Sequence, residues 1–251
     1  MGKEGIHLTH LQFVDDTLIF CEADEQHLQR IRGVLLSFQA FAGLVVNFHK
    51  SRLIAIGKDD EWSQNAAALL GCTRVHLPMT YLGIPLGANM RKATSWQCVI
   101  DKIQKRLSSW KSSCLSRAGR LVLLKSVLNC LPIYYLSLFR LPRKVAIEII
   151  RIQRKFLWSG SKEGKYLALV KWKVVQQHKG RGGLGVGDIV VKNATLLFKW
   201  WWRFANVVDP LWKRVVHSLH EKDQALIPSH LTSKISGPGT WKTVKSLVQD
   251  Q

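Results

Sequence analysis

The chain has 251 residues, of which 47% are hydrophobic and 9% aromatic. This length and composition exclude an intrinsically disordered chain and allow one large domain or two small ones, each with its own core. The 37 Lys and Arg residues outnumber the 17 Asp and Glu residues, which gives a formal net charge of +20. Such an excess favours nucleic acid as a partner, then an anionic membrane surface; the alternative is a basic protein whose charge only aids solubility.

Targeting features and cysteines predict an intracellular protein, nuclear or cytoplasmic. No run of 18 apolar residues is without charge, so the sequence predicts no transmembrane segment. With nucleic acid as the first candidate for the charge, no membrane partner is expected. The N-terminal stretch "MGKEGIHLTH" lacks the apolar region of a signal peptide. The 5 cysteines occur singly and form no C-x-x-C pair, which is typical of free thiols in a reducing compartment.

The first predicted element is a β-hairpin. Residues 6–22 contain two strand-like runs, "IHLTHLQF" and "TLIFC", which meet at Asp15 and Asp16, so the two acids lie at or beside the turn. We expect the strands to bury Phe13 and Ile19. Adjacent carboxylates repel each other and are costly to bury, so a compensating cation is expected. Mg²⁺ suits carboxylate oxygens; the alternative is an ordinary polar turn, where Asp is common.

A helix and a second hairpin are predicted next. Asp24 is expected to cap a helix that Gly43 ends, and its apolar residues recur at helical spacing: Leu28, Ile31, Leu35, Phe38 and Phe41. The runs "LVVNF" and "RLIAIG", joined by "HKS", are predicted to be short strands. The order hairpin, helix, hairpin indicates an α+β unit with an antiparallel sheet. A short helix near 60–70 and a tight strand and turn in "TYLGIPLG" follow.

The later predicted elements are long basic helices. The segment 160–187, rich in Gly and Lys, is predicted to be a loop with short strands, after which Asp188 caps a further helix. The change from strands to helices places a subdomain boundary near residue 90. The expected starts of the three preceding helices are Thr94, Ser116 and Pro142.

A glycine-rich stretch precedes the Asp188 cap. The letters "GRGGLG", Gly180 to Gly185, match G-x-G-x-x-G literally. They follow the basic pair "HK" and have no surrounding βαβ unit, which argues against a dinucleotide site. Two interpretations stay open: a flexible backbone near phosphates, or a plain loop before the helix.

Several spaced motifs together resemble one family. "LQFVDDTLIF", then a helix, then "GLVVNFHKS" and "YLGIPLG", resemble the reverse transcriptases of non-LTR retrotransposons, especially the plant type. The downstream stretches "LSSWKSSCLSRAGRLVLLKSVLNCLPIYYLS", "IQRKFLWSG" and "GGLGVGD" resemble the thumb and connecting region of that family. The resemblance covers roughly residues 8 to 217. In that family an aromatic-x-Asp-Asp hairpin of the palm holds catalytic metal.

The resemblance implies roles for individual residues. Asp15 matches the metal-binding aspartate and Asp16 its partner, with Val14 standing where the family usually has Ala. Lys50 matches a lysine placed near the phosphates of the incoming nucleotide, where a cation stabilises the leaving pyrophosphate; the alternative is a solvated lysine in a turn. The primer grip corresponds to Tyr81, Leu82 and Gly83, for which the alternative is a purely structural turn.

The resemblance also implies a domain order. Residues 1–89 correspond to a partial palm, 90–175 to a helical thumb, and 176–251 to a connection region with a truncated C-terminus. A thumb holds the template–primer through backbone and sugar contacts, which need positive charge but little base specificity. The alternative for each cation is a solvated helix face. The expected nucleic-acid-binding residues are Arg106, Lys111, Arg117, Arg120 and Lys125.

The implied activity is RNA-directed DNA synthesis, which transfers a nucleotide to a primer 3′ end. It needs two Mg²⁺ ions, an RNA template, a DNA primer and dNTPs. The family places another aspartate and the fingers before the hairpin, yet none of the 14 residues that precede Asp15 is Asp. We therefore expect an incomplete two-ion site in a truncated fragment that is inactive alone. The alternative is a non-catalytic, basic nucleic-acid-binding remnant or host-adopted protein.

Overall fold

The computed structural model describes residues 6–108, 115–158, 167–208 and 210–220. The chain divides into two compact units, Met1–Ala88 and Asn89–Gln251. The division lies beside residue 90, where the sequence changes from strands to helices. The assignment of the units to palm, thumb and connection stays a prediction.

In its described residues, unit 1 combines two helices with three two-stranded sheets. Strands β1 and β2 pair antiparallel, as do β5 and β6, whereas β3 and β4 pair parallel. Helices α1 and α2 pack together, and α2 also packs on β3 and β4. The elements are β1 (His10–Phe13), β2 (Asp16–Ile19), α1 (Glu25–Ala42), β3 (Arg52–Leu53), α2 (Asp60–Leu70), β4 (Thr73–Arg74), β5 (Met79–Tyr81) and β6 (Ile84–Leu86).

The ends of α1 are where the sequence predicts them. The Asp24 side chain accepts a hydrogen bond from the backbone N–H of His27, and Gly43 ends the helix with a φ of 67°. Both ends follow local rules, since a short acceptor caps the first turn and glycine tolerates a left-handed backbone. The apolar face of α1 is only partly buried, since Leu28 is buried but Phe41 is 92% exposed. The predicted helix is confirmed, and its apolar face is half-buried at Ile31 and Leu35 but exposed at Phe38 and Phe41.

The predicted second hairpin is wrong. The stretch "LVVNF" forms no strand, so β3 has no antiparallel partner there. Instead, β3 pairs in parallel with β4. Asn47 explains the break, because its backbone oxygen accepts from the N–H groups of Lys50 and Ser51, both at 3.1 Å. The Asn47 side chain also accepts from the Lys50 N–H at 3.0 Å. Asn thereby favours a turn over a strand at this position.

Unit 2 is helical in its described part. A 3₁₀ turn at Ala93–Trp96 precedes α3, so Thr94 lies inside this turn and is not the expected cap. A π-helical turn at Leu124–Leu128 follows α4 directly. No described helix of the chain is both long and apolar enough to cross a bilayer. The helices are α3 (Gln97–Ser108), α4 (Arg117–Leu123), α5 (Ile133–Leu136), α6 (Arg143–Trp158), α7 (Trp172–Gln176), α8 (Ile189–Asn206) and α9 (Leu211–His220).

The core of unit 2 is well packed. Trp96 is fully buried and donates its indole N–H to the Met90 oxygen at 2.9 Å. Buried Asn193 of α8 ties that helix to the end of α5 and the residues that follow, because its amide donates to the oxygens of Leu136 and Phe139. The Asn193 oxygen in turn accepts from the Leu141 N–H at 2.9 Å. The other fully buried large side chains include Ile103, Leu124, Leu128, Ile149 and Leu197.

Two further predictions for unit 2 have different outcomes. The Asp188 cap is confirmed, since its carboxylate accepts from the Val190 N–H at 2.8 Å. The short strands expected in 160–187 are absent from the described residues 167–187, which form α7 and a 3₁₀ turn at Lys179–Arg181 instead. The broad α+β class is confirmed, with small sheets in unit 1 and helices in both units.

Candidate functional site

The predicted carboxylate hairpin is present. Strands β1 and β2 pair with Phe13 opposite Asp16, so the connecting loop is only two residues long, Val14 and Asp15. Asp15 therefore lies at the tip of the turn and Asp16 begins β2. Both residues are exposed. The hairpin thus presents two neighbouring carboxylates at an open rim.

The turn holds Val14 in an unusual conformation. Its φ is 56°, whereas Asp15 has no positive φ, a combination typical of a type II′ turn. Glycine is the usual residue there, and a β-branched side chain at positive φ is strained by about 1–3 kcal/mol. The Gln12 amide donates to the Val14 oxygen at 3.2 Å and closes the turn from within the hairpin. Strain of this kind persists where the surroundings hold the backbone, and it often accompanies a functional site.

The expected burial around the acids is wrong. Phe13 is 61% exposed and Ile19 is 41% exposed. The reason is architectural, because within the described residues β1 and β2 pair with each other and with no further strand, which leaves their faces open. The carboxylates are therefore hydrated, and their mutual repulsion is weakened by water. Among the described residues, no group of three His, Cys, Asp or Glu side chains is placed to hold a metal ion.

Lys50 lies in the turn that Asn47 organises. Its backbone N–H is held by both oxygens of Asn47, while its side chain is exposed. The Ser51 hydroxyl adds a hydrogen bond to the Asn47 oxygen at 3.0 Å. The turn is therefore well defined, and it presents the lysine to solvent.

The predicted turn at Tyr81, Leu82 and Gly83 is a second tight hairpin. Tyr81 pairs with Ile84, and the two loop residues have φ values of 48° at Leu82 and 78° at Gly83. Two positive φ values define a type I′ turn, in which glycine is ordinary and leucine is strained. In the described parts of the chain, Val14 and Leu82 are the non-glycine residues with positive φ. Backbone strain therefore marks both hairpins that the sequence singles out.

The predicted nucleic-acid-binding residues have diverse environments. Arg106 and Arg117 are exposed, Lys125 is half-buried on the π-helical turn, and Lys111 lies outside the described residues. Arg120 is only 8% exposed, and its guanidinium donates to the oxygens of Leu115 and Leu157. Arg120 therefore secures the C-terminal end of α6. Its prediction as a phosphate contact needs correction, because its donors face the protein interior.

The glycine-rich stretch is a closed loop. Its backbone N–H groups donate within the protein: Gly183 to the His178 oxygen, Gly185 to Gln177, and Gly187 to Gln176. A Cβ on Gly183 would lie 2.2 Å from the Gln177 oxygen, so only glycine fits there. These N–H groups are not directed at a ligand, and the G-x-G-x-x-G match does not form a phosphate cradle of backbone donors.

Sequence reasoning missed one basic residue beside this loop. A Cβ built on Gly185 would lie 3.4 Å from the Lys125 Nζ and 3.4 Å from the Lys179 Cγ, so the Lys125 ammonium and the stem of Lys179 are both beside this glycine. Lys179 precedes the glycine motif directly, and that adjacency is the only sequence feature that could have indicated it. Its proximity to Lys125 depends on the tertiary fold.

The described cysteines are free thiols. Burial raises the pKa of the Cys21 thiol and of the Cys72 thiol, which disfavours their thiolate forms. Cys98 and Cys130 are exposed thiols without a disulfide. Candidate chemistry therefore rests on the carboxylate hairpin and on the cations.

Comparison with known proteins adds a partial likeness. No protein-family model matches the chain. Over 152 residues, or 61% of its length, the chain is 32% identical to an Arabidopsis thaliana protein that is named as a ribonuclease H protein. The matched segment covers 24% of that protein, so the chain spans about a quarter of the relative's length. The chain is therefore similar to part of a plant protein of that name.

Proposed function

We propose that this chain is part of a retroelement protein of the reverse transcriptase type. Unit 1 carries a carboxylate pair of a nucleotidyl transferase, and unit 2 binds template and primer. The observation that carries the proposal is the two-residue hairpin loop, which presents Asp15 and Asp16 side by side at an exposed rim. The likeness to a plant protein named as ribonuclease H supports the coarser form, a retroelement-related nuclease or polymerase.

Asp15 and Asp16 are the residues that would hold Mg²⁺. Exposed carboxylates suit this ion, which keeps several waters and binds through one or two carboxylates together with substrate phosphates. When bound, it would polarise a phosphoryl oxygen and neutralise developing charge. A two-ion site needs a further carboxylate, and the described residues supply no group of three ligands. We infer that this chain by itself does not extend a primer.

Two other turns of unit 1 suit positioning roles. Lys50 would stabilise negative charge on the nucleotide's phosphates, and Asn47 would keep its backbone in place. Tyr81, Leu82 and Gly83 would hold the primer 3′ end, since a type I′ turn with two fixed residues forms a rigid support. Both roles are extensions of the proposed activity.

A second candidate function is non-catalytic nucleic-acid binding. The observation that favours it is the charge, because the net value of +20 and the exposed cations of unit 2 serve binding without any chemistry. A salt-dependent binding assay supports both candidates. Metal binding at the hairpin separates them.

The test measures Mn²⁺, a spectroscopic stand-in for Mg²⁺, on the full 251-residue protein. We expect Asp15→Asn and Asp16→Asn each to weaken Mn²⁺ binding, measured by electron paramagnetic resonance. The chain offers a matched control in its other Asp-Asp pair, whose carboxylates are already engaged: Asp59 caps α2, and Asp60 pairs with Arg74. Asp60→Asn should leave Mn²⁺ binding unchanged.

Activity assays complete the test. With an RNA template, a DNA primer, dNTPs and Mg²⁺, we expect salt-dependent binding and no primer extension. Equal Mn²⁺ affinity in the wild type and in Asp15→Asn would show that the hairpin does not bind the metal, and would favour non-catalytic nucleic-acid binding. Processive extension that Asp15→Ala abolishes would contradict the inference that the chain is inactive alone. Mg²⁺-dependent cleavage of the RNA strand in an RNA–DNA hybrid would support nuclease activity in place of polymerase activity.

A further inference from the structure

Two lysines from distant parts of the chain meet at Gly185. Lys125 lies on the π-helical turn Leu124–Leu128, and Lys179 begins the 3₁₀ turn Lys179–Arg181. Gly185 has a φ of 68° and no side chain, and the Lys125 ammonium lies just beyond the position that a Cβ would take. Because Gly185 has no side chain, the Lys125 ammonium and the aliphatic stem of Lys179 both lie against it. We call Lys125, Lys179 and Gly185 the Gly185 cluster.

A buried polar chain holds the cluster together. The Gln153 amide of α6 donates to the Asn129 oxygen at 3.0 Å, and the Asn129 amide donates to the Val186 oxygen at 2.7 Å. Gln153 is buried, and each donor has a defined acceptor, so the network fixes the glycine loop against the residue that follows the π-helical turn. The loop and Lys125 are thereby kept in register. π-helical turns of this kind are frequent at functional sites.

The cluster concentrates positive charge. In the described parts of the chain, no carboxylate oxygen forms an ion pair with Lys125 or Lys179, and the pairs that form involve Asp24, Asp60 and Glu148. Asp188, which follows the loop, directs its carboxylate to the Val190 N–H as the cap of α8. Exposed Arg181 adds a further cation on the same 3₁₀ turn as Lys179. Bringing like charges together costs free energy that an anion offsets.

We propose that the Gly185 cluster binds a backbone phosphate of a nucleic acid. The ammonium groups act as point charges on the phosphodiester, and contacts of this kind carry no base specificity. The backbone N–H groups of the loop take no part, because they donate within the protein. This inference rests on the proposed nucleic-acid binding by unit 2. It extends that binding beyond the predicted thumb cations to a defined position that includes Lys179 and the glycine loop.

The test measures how the affinity of the full protein for a labelled RNA–DNA hybrid varies with salt. The logarithm of the binding constant falls as the logarithm of the salt concentration rises. We expect Lys125→Gln and Lys179→Gln each to make this negative slope less steep by about 0.9, the value for one lost phosphate contact. Both should weaken binding to different sequences equally. Lys125→Arg keeps the charge and should retain most of the slope. Circular dichroism of each variant verifies that the helices are intact.

A matched control variant distinguishes binding at the Gly185 cluster from a general effect of removing one positive charge. Lys199 is an exposed lysine on α8, about 15 Å along the helix from Ile189, at 1.5 Å per residue. Lys199→Gln removes the same charge, and we expect it to change the slope less than either cluster variant. Equal slopes for Lys125→Gln, Lys179→Gln and Lys199→Gln would overturn the Gly185 cluster as a site.

The outcomes also distinguish this inference from the proposed function. If the wild type shows no salt-dependent binding to the hybrid, the proposed function of unit 2 fails as well. If the wild type binds and the cluster variants match Lys199→Gln, the Gly185 inference alone fails. If the cluster variants lose binding to phosphatidylserine vesicles but not to the hybrid, the ligand is a lipid headgroup and the nucleic-acid assignment is overturned.

Discussion

The two units differ most in what they bury. Unit 2 encloses Trp96, Leu136 and Ile149 completely. In the described part of unit 1 the buried apolar residues are few: Ile6, Leu28, Ala66 and Ala67. Both units have well-formed helices, correct caps and tight turns. The difference shows that local rules are sufficient to form elements, but that burial depends on neighbours. Unit 1 has elements with open faces, and unit 2 has a core.

The difference in burial between the two units can be tested most directly by changing one leucine of each unit to alanine. Leu136 is 0% exposed in unit 2, and Leu36 is 48% exposed on α1 of unit 1. We expect Leu136→Ala to lower the free energy of unfolding by about 2–5 kcal/mol, because it leaves a cavity. Leu36→Ala should cost less than about 1 kcal/mol, since much of that side chain is already in water. Urea denaturation followed by circular dichroism measures both; equal losses would show that α1 is covered in solution.

Two asparagines of α8 test the importance of burial in the same way. Asn193→Ala removes the partners of Leu136, Phe139 and Leu141 inside the core of unit 2. Leaving such buried groups unsatisfied should cost about 2–4 kcal/mol. Asn206→Ala, on the same helix, removes one exposed hydrogen bond to the Trp202 oxygen and should cost less than about 0.5 kcal/mol. A similar shift in the urea midpoint for both variants would contradict the tight packing of unit 2.

The smallest expected effects test whether the units unfold separately. Asp59 caps α2 of unit 1 and Asp188 caps α8 of unit 2, each accepting a backbone N–H at 2.8 Å. Either change to Ala should cost about 0.5–2 kcal/mol. Peptide-resolved hydrogen exchange should show faster exchange in 60–70 for Asp59→Ala and in 189–206 for Asp188→Ala. If either variant accelerates exchange in both segments, the units unfold as one.

The sequence predicts well where interactions are local. The caps at Asp24, Ser116 and Asp188 each join a side chain to an N–H two or three residues ahead, so neighbouring letters contain the information. The carboxylate hairpin is equally local, because its loop has two residues. The resemblance to reverse transcriptases stays a prediction for the chain as a whole.

What the sequence could not predict depends on distant residues. Phe13 is exposed because no further strand of the described residues lies beside β1 and β2, which periodicity alone does not report. The burial of Arg120 depends on the end of α6, and the meeting of Lys125 with Lys179 depends on the glycine loop returning to the π-helical turn. In each case a tertiary neighbour decides what a residue type can do.

The π-helical turn at Leu124–Leu128 affects which mutations the protein tolerates. Its N–H to oxygen bond from Asn129 to Leu124 spans five residues, one more than in an α-helix. Loss of a single codon within 124–128 would let this segment form an ordinary α-helical turn, and Asn129 directly after it would move by one position, about 100° around the helix axis. Asn129 would then leave Val186, and the glycine loop would lose its anchor. This short segment should therefore tolerate substitutions more readily than in-frame deletions.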